Sequence, residues 1–146
     1  MHFLMKQMLC QMEKQGEGSI LNVASSAGLL PAGPYMATYY ATKSYVTSLT
    51  RAVALELKEK KSNVYVGALC PGPVDTEFNK VANVEFAIPS ITPTYCASYA
   101  IRKMEKRKIV IVPKNKMKVL AFISRVLPQS LVIRMTARQQ KKKRSW

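Results

Sequence analysis

The chain has 146 residues, 48% of them hydrophobic, and 23 Lys+Arg against eight Asp+Glu give a formal net charge of +15. That length and apolar content suit one ordinary packed domain and exclude disorder throughout. The charge is local: residues 1–100 carry eight basic and seven acidic side chains, whereas residues 101–146 carry fifteen and one. Cys10, Cys70 and Cys96 have neither disulfide-framework nor metal-ligand spacing, and His2 is the single histidine, so neither a metal site nor Cys–His catalysis is expected. No run approaches about 18 apolar residues, so no helix is expected to span a bilayer. Lys6 and its polar neighbours interrupt the start too early for the apolar core of a secretory signal, and a reducing, cytoplasmic setting is the expectation.

In chain order, residues 3–14 read as a helix stopped by "GEG", with Met1, Met5, Met8 and Met12 as a flexible apolar stripe suited to core or subunit contact. "SILNVAS" (19–25), "NVYVGALC" (63–70) and "KIVIVP" (108–113) read as strands buried on both faces, because apolar residues continue without polar alternation. Between them, Tyr45, Leu49, Ala52, Val53 and Leu57 recur at three- and four-residue steps and predict one amphipathic helix over 39–60. Residues 93–107 predict another, starting after "SITP" and ending in basic residues suited to a helix C-terminus. The mixed-polarity stretch 77–93 names no ligand. Strand–helix–strand alternation implies parallel pairing with right-handed crossovers. The expected architecture is α/β, a partial doubly wound sheet of about three parallel strands with flanking helices.

Residues 114–146 form a basic extension to a main unit at 1–113. Within it, two short amphipathic segments flank Pro128, with Leu120, Ile123, Val126 and Leu127 in the first and Leu131, Val132 and Met135 in the second. Residues 117–146 suit the plane of an anionic membrane surface, and suit equally packing against the domain with only the charges exposed. Charge alone speaks for nucleic acid and no recognised motif accompanies it, so that partner is not favoured. The terminal "RQQKKKR" reads as solvated and mobile.

Three polar motifs follow one another along this framework. One predicted strand ends in "NVASSAG", the next helix opens with "YYATK", and the following strand ends in "CPGPVDTEF". On a helix, Tyr39 and Lys43 lie one turn apart on a shared face. A fixed cation beside a phenol favours its ionised form, which is useful for proton transfer near neutrality. Carboxyl ends of strands form the ligand crevice in open α/β sheets, and all three motifs fall there.

On those motifs, in that order and spacing, the sequence resembles the short-chain dehydrogenase/reductase family. The resemblance implies a Rossmann-like fold, a nicotinamide cofactor (NAD or NADP) and interconversion of a small-molecule carbonyl and an alcohol. It also implies roles: Tyr39 as acid/base, Lys43 as the cation that lowers the tyrosine's pKa and bonds the nicotinamide ribose, and a serine that holds the substrate oxygen. Counting back three residues from Gly28 selects Ser25, while thirteen before Tyr39 selects Ser26; anchoring by the glycine favours Ser25. Pro71, Gly72, Val74 and Thr76 match positions that line the nicotinamide, alongside Tyr39 and Lys43. Tyr35 and Tyr40 read as packing or substrate-wall residues, and Cys70 as an inert small hydrophobe. The family's Gly-rich phosphate-seating turn has no counterpart in these 146 residues, so the expectation is a truncated or incomplete representative. The alternative is a non-catalytic remnant that meets a partner or membrane through apolar helices and the basic tail. An edge strand without its neighbour and the methionine-rich first helix favour a homo-oligomer.

Overall fold

The computed structural model describes residues 1–77 and 89–143. Helix α1, His2–Gln15, ends where Gly16 turns left-handed at φ 81°, closing the helix as "GEG" predicts. Strands β1 (Ser19–Val23), β2 (Tyr65–Leu69) and β3 (Val110–Ile111) form one parallel sheet in the order β1-β2-β3. Ser19 pairs with Tyr65 and Val23 with Leu69, so β1 and β2 end level at their carboxyl termini. Between them run the 3-10 turn Ser26–Leu29 and helix α2, Ala37–Glu59. Helix α3, Pro93–Glu105, links β2 to β3; the Thr92 side chain caps it by accepting from Tyr95 N, with Pro93 in the first turn. Helices α4 (Asn115–Val126) and α5 (Gln129–Lys143) complete the described chain.

Alternation along each strand sorts the core into two layers. On one face, Met5 of α1 and Leu57 of α2 pack with Val64 and Val66, joined by Ile20, Leu49 and Val53. Further along that face, Ala24, Ala68, Cys70 and Val112 meet Val46 of α2 and Met117 of α4. On the other face, Cys96 and Ala100 of α3 pack on Leu69 and Ile111, with Leu21 and Met104 beside them. Helices on both faces of a parallel sheet make the doubly wound arrangement that the alternation predicts.

Three expectations change on contact with the structure. β2 is buried at every position, but β1 is not: Ser19 is exposed and Val23 is 63% exposed. The cause is position: β1 is one edge of the described sheet, and the cover that α3 gives Leu69 and Ile111 on β2 and β3 does not extend over Val23. β3 is shorter than the 108–113 run, although Ala68 N still donates to Ile109 O at 2.7 Å just before it. The third change is in "RQQKKKR", where α5 continues to Lys143 and Gln140 is 4% exposed rather than solvated. Val132, Thr136 and Gln140, four residues apart, form the buried side of α5, and Gln140 Nε2 donates to the Tyr40 hydroxyl at 2.9 Å. With Met117 in the core and Gln140 on Tyr40, the basic extension packs onto the body of the molecule. Most of the mixed-polarity stretch, 78–88, lies outside the described residues.

Candidate active site

Past the ends of β1 and β2 the backbones stay zipped together. Ala24 N donates to Leu69 O and Ser26 N to Pro71 O, each at 2.8 Å, which sets the serine segment against the proline loop. Ser25 lies between these two bonds in extended conformation, nearly buried, and its Oγ accepts from Ala27 N at 3.2 Å. That cap uses one lone pair and leaves the hydroxyl hydrogen for another partner. Ser26 starts the 3-10 turn and is half-buried. The turn rests directly on α2, and Gly28 is the reason it can. A Cβ there would run into the Lys43 carbonyl and, at 2.7 Å, into Thr47 Oγ1. The glycine of "NVASSAG" thus permits the close approach that puts the serines beside the helix carrying Tyr39 and Lys43.

Helix α2 is held in register by its own threonines. Thr47 and Thr50 are buried, and each hydroxyl donates to the carbonyl four residues back, Lys43 O at 2.9 Å and Val46 O at 2.7 Å. Thr50 Oγ1 also accepts from Asn22 Nδ2 at 2.9 Å, and Thr47 Oγ1 lies 3.7 Å from Cys70 Sγ. Polar side chains therefore pin the helix to both β1 and the end of β2. On this fixed helix, Lys43 Nζ donates to Val23 O at 3.2 Å and sits 5.8 Å from the centre of the Tyr39 ring. The ammonium is tethered to the last carbonyl of β1 and lies within cation–π range of the phenol. Tyr39 is half-buried, whereas Tyr40 is buried edge-on to it, ring centres 6.3 Å apart. Tyr40 packs over Gly33, where any side chain would meet its ring.

The "PGPVDT" loop is fixed from a different direction. Val74 forms a parallel bridge with Ile91; Asp75 N donates to Ile91 O at 2.9 Å and Ile91 N to Pro73 O at 3.0 Å. Gly72 lies against Met117 of α4, whose Cγ would stand 3.1 Å from an added Cβ. Pro71, Gly72 and Val74 are half-buried, and Thr76 is exposed. The structure thus joins the serine segment to the proline loop through Ser26 and Pro71, and Lys43 to Tyr39 and to the end of β1. Thr76 stands further out, two residues before the undescribed segment.

Cys70 lies behind this cluster, fully buried; burial pushes its thiol above the ordinary range, against the smaller opposing effect of its bond with Thr47. It is a packing residue, as its place in an apolar run suggests. Burial likewise raises the Tyr40 phenol, with the Gln140 bond opposing and Tyr39 adding to the rise. No group of three or more His, Cys, Asp or Glu able to hold a metal occurs among the described residues.

Sequence reasoning missed Gln140 and Met117, two of the residues through which the extension touches the site's surroundings. For Gln140 a signal existed: it continues the four-residue step of Val132 and Thr136, but its lysine neighbours mask it.

The family model for short chain dehydrogenase matches residues 1–85. A dehydrogenase/reductase SDR family member 4 from Bos taurus is 35% identical over 103 residues, covering 70% of this chain and 35% of that protein. D-beta-hydroxybutyrate dehydrogenase from Rhizobium meliloti (strain 1021) is 46% identical over 65 residues, 44% of this chain and 24% of the relative. Among solved structures, a 7beta-hydroxysteroid dehydrogenase superposes with a TM-score of 0.74 at 22% identity, covering 90% of this chain and 51% of that one. A short chain dehydrogenase from Burkholderia cenocepacia J2315, solved in complex with NADP, gives 0.66 at 25% identity, covering 83% and 48%. The chain therefore spans from about a quarter to a half of the length of the proteins it matches. With more than half of its residues inside the family model, and the Tyr39 helix seated behind the serine strand end, this chain belongs to the short-chain dehydrogenase/reductase family.

Proposed function

We propose that this chain serves an NAD(P)-dependent oxidoreductase that interconverts a small-molecule carbonyl and an alcohol. The observation that carries this reading is the Tyr39–Lys43 pair, with the ammonium tied to Val23 O at 3.2 Å and 5.8 Å from the phenol ring. It stands at the carboxyl edge of a parallel sheet, where open α/β folds take their ligands. The residues there suit the nicotinamide end of a dinucleotide: a cation for the ribose hydroxyls, the exposed Thr76 hydroxyl, and the Pro71, Gly72 and Val74 backbone along one side. Bound nicotinamide supplies or accepts the hydride. In the reducing direction, the Tyr39 hydroxyl gives its proton to the carbonyl oxygen as negative charge develops there, and in oxidation Tyr39 takes the proton back. Ser25 donates its hydroxyl hydrogen to the same oxygen and orients it, while Lys43 keeps a positive charge beside the phenol.

A reducing cytoplasm fits the three free thiols. A homo-oligomer fits the exposed Phe3, Leu4 and Met8 of α1, together with Tyr45 and Leu55 of α2. The reaction is tested by joining the chain to the part of the Rhizobium meliloti relative that lies outside the matched stretch and supplying NADH or NADPH deuterated at the transferable position. Mass spectrometry should find one deuterium on the carbinol carbon of a reduced ketone. No transfer to any of a panel of aldehydes and ketones, from a folded fusion that binds cofactor, contradicts the reading.

A further inference from the structure

Helix α4 has two unlike sides. Met117 and Ser124 are buried, while Val119, Phe122, Ile123 and Val126, spaced i, i+3, i+4 and i+7, are 57%, 68%, 44% and 73% exposed. These four share one stripe, roughly 10 Å long. Isolated surface leucines or valines are ordinary, but four large apolar side chains lined up on one helix mark a surface that meets something apolar. Helical spacing puts Lys116 on one flank of the stripe and Lys118 and Arg125 on the other, all exposed. On α5, exposed Leu131 and Met135 share a face with exposed Arg134 and Arg138. From Lys106 to the end of the chain the sequence contains no Asp or Glu. Among the described residues the ion pair seen joins Lys60 to Glu13, so none of these cations is neutralised by a carboxylate.

We propose that α4, together with the exposed side of α5, is a docking surface for an anionic phospholipid bilayer. The helix lies in the plane of the interface, the Val119–Phe122–Ile123–Val126 stripe enters the acyl boundary, and the flanking Lys and Arg meet lipid phosphates. Charge complementarity selects this occupant. A second copy of the chain would bring the same positive field to the contact. Nucleic acid would take the charges but offers no apolar phase for the stripe at their centre. A bilayer with anionic lipid offers both, and no described helix is long and apolar enough to cross it, so the contact is peripheral. Met117, on the buried side of α4, touches Gly72, so the docked helix backs onto the proline loop. The proposal does not depend on the oxidoreductase reading, because none of the residues that meet lipid belongs to the Tyr39 site.

The test is co-sedimentation of the full 146-residue chain with large vesicles of phosphatidylcholine alone, or with about a third phosphatidylserine. Partitioning should be at least about tenfold stronger onto the anionic vesicles and should fall as salt rises towards about 0.5 M. Phe122→Ser with Val126→Ser, both at exposed positions, should weaken it about tenfold or more, with unchanged circular dichroism and melting. Lys116→Glu with Arg125→Glu should do the same through the charge term, independently of any effect the serines have on folding. Equal partitioning onto both vesicle types, or none, overturns the proposal. So does anionic binding that the serine pair leaves intact, the result expected if the charges serve nucleic acid and adsorb to lipid only by their sign. Concentration-dependent dimers abolished by the serine pair, without a change in vesicle binding, would assign the stripe to a second copy instead.

Discussion

Tyr40, Tyr65, Cys70 and Cys96 all hold their protons more tightly than usual, in each case chiefly because burial penalises the charged form. For Tyr65 the neighbouring Arg107 opposes that rise, and the hydroxyl donates to Lys108 O at 2.7 Å. The sign of the consequence follows from linkage. The folded chain keeps these protons at pH values where the unfolded chain has lost them. The stability they contribute is therefore full below the ordinary values, 9.0 for the thiols and 10.0 for the phenols, and is lost as pH climbs through and beyond them. The thermal midpoint should fall progressively above about pH 8.5. Cys70→Ala should remove part of the fall in the thiol range, measured against its own midpoint at neutral pH. A midpoint that stays flat to pH values above those of the phenols would contradict the buried placement of all four groups.

The bond between Tyr40 and Gln140 ties α2 to α5 across 100 residues of sequence. Tyr40→Phe leaves a buried amide without its acceptor, and Gln140→Leu leaves a buried hydroxyl without its donor; each should cost about 1–3 kcal/mol in urea unfolding. The double substitution should cost less than the two losses added, with a coupling of at least about 0.5 kcal/mol. Strict additivity would show that the helices do not meet there. This contact also marks where sequence reading stops. β2 was legible because every one of its positions is buried, so composition alone describes it. β1 has a similar apolar run, yet its exposure depends on lying at one edge of the described sheet beyond the cover of α3, a property of strand order and packing that no local window contains. α2 announced itself through its period, and Tyr39 with Lys43 through one helical turn. That Lys43 reaches Val23 O, or that Gly28 must lack a Cβ to let the turn sit on Lys43, requires two segments to be brought together first. Gln140 was hidden because an amide among lysines looks solvated until its partner is known.

At the scale of the whole molecule, the pieces separate by task. The sheet ends and α2 carry the Tyr39–Lys43 pair, α1 exposes Phe3 and Leu4, and the basic helices α4 and α5 pack towards the same end through Met117 and Gln140. The 146 residues contain no Gly-rich turn to seat a pyrophosphate on a helix N-terminus, and the matched proteins are two to four times longer than the stretch they share with it. Calorimetric titration of this chain by itself with NAD(H) or NADP(H) should therefore give dissociation constants weaker than about 1 mM, and micromolar binding would show that far more of the cofactor site is present than described above. The central claim, that Tyr39 is the proton donor, is tested most directly by the rate of carbonyl reduction in the fusion with the relative's unmatched part, comparing Tyr39→Phe with Tyr40→Phe. The account predicts a loss on the order of 100-fold or more for Tyr39→Phe with circular dichroism unchanged, and activity within a few-fold of the parent for Tyr40→Phe. Near-full activity in Tyr39→Phe, together with its abolition in Tyr40→Phe, would contradict it and remove the roles of Ser25 and Lys43 as well.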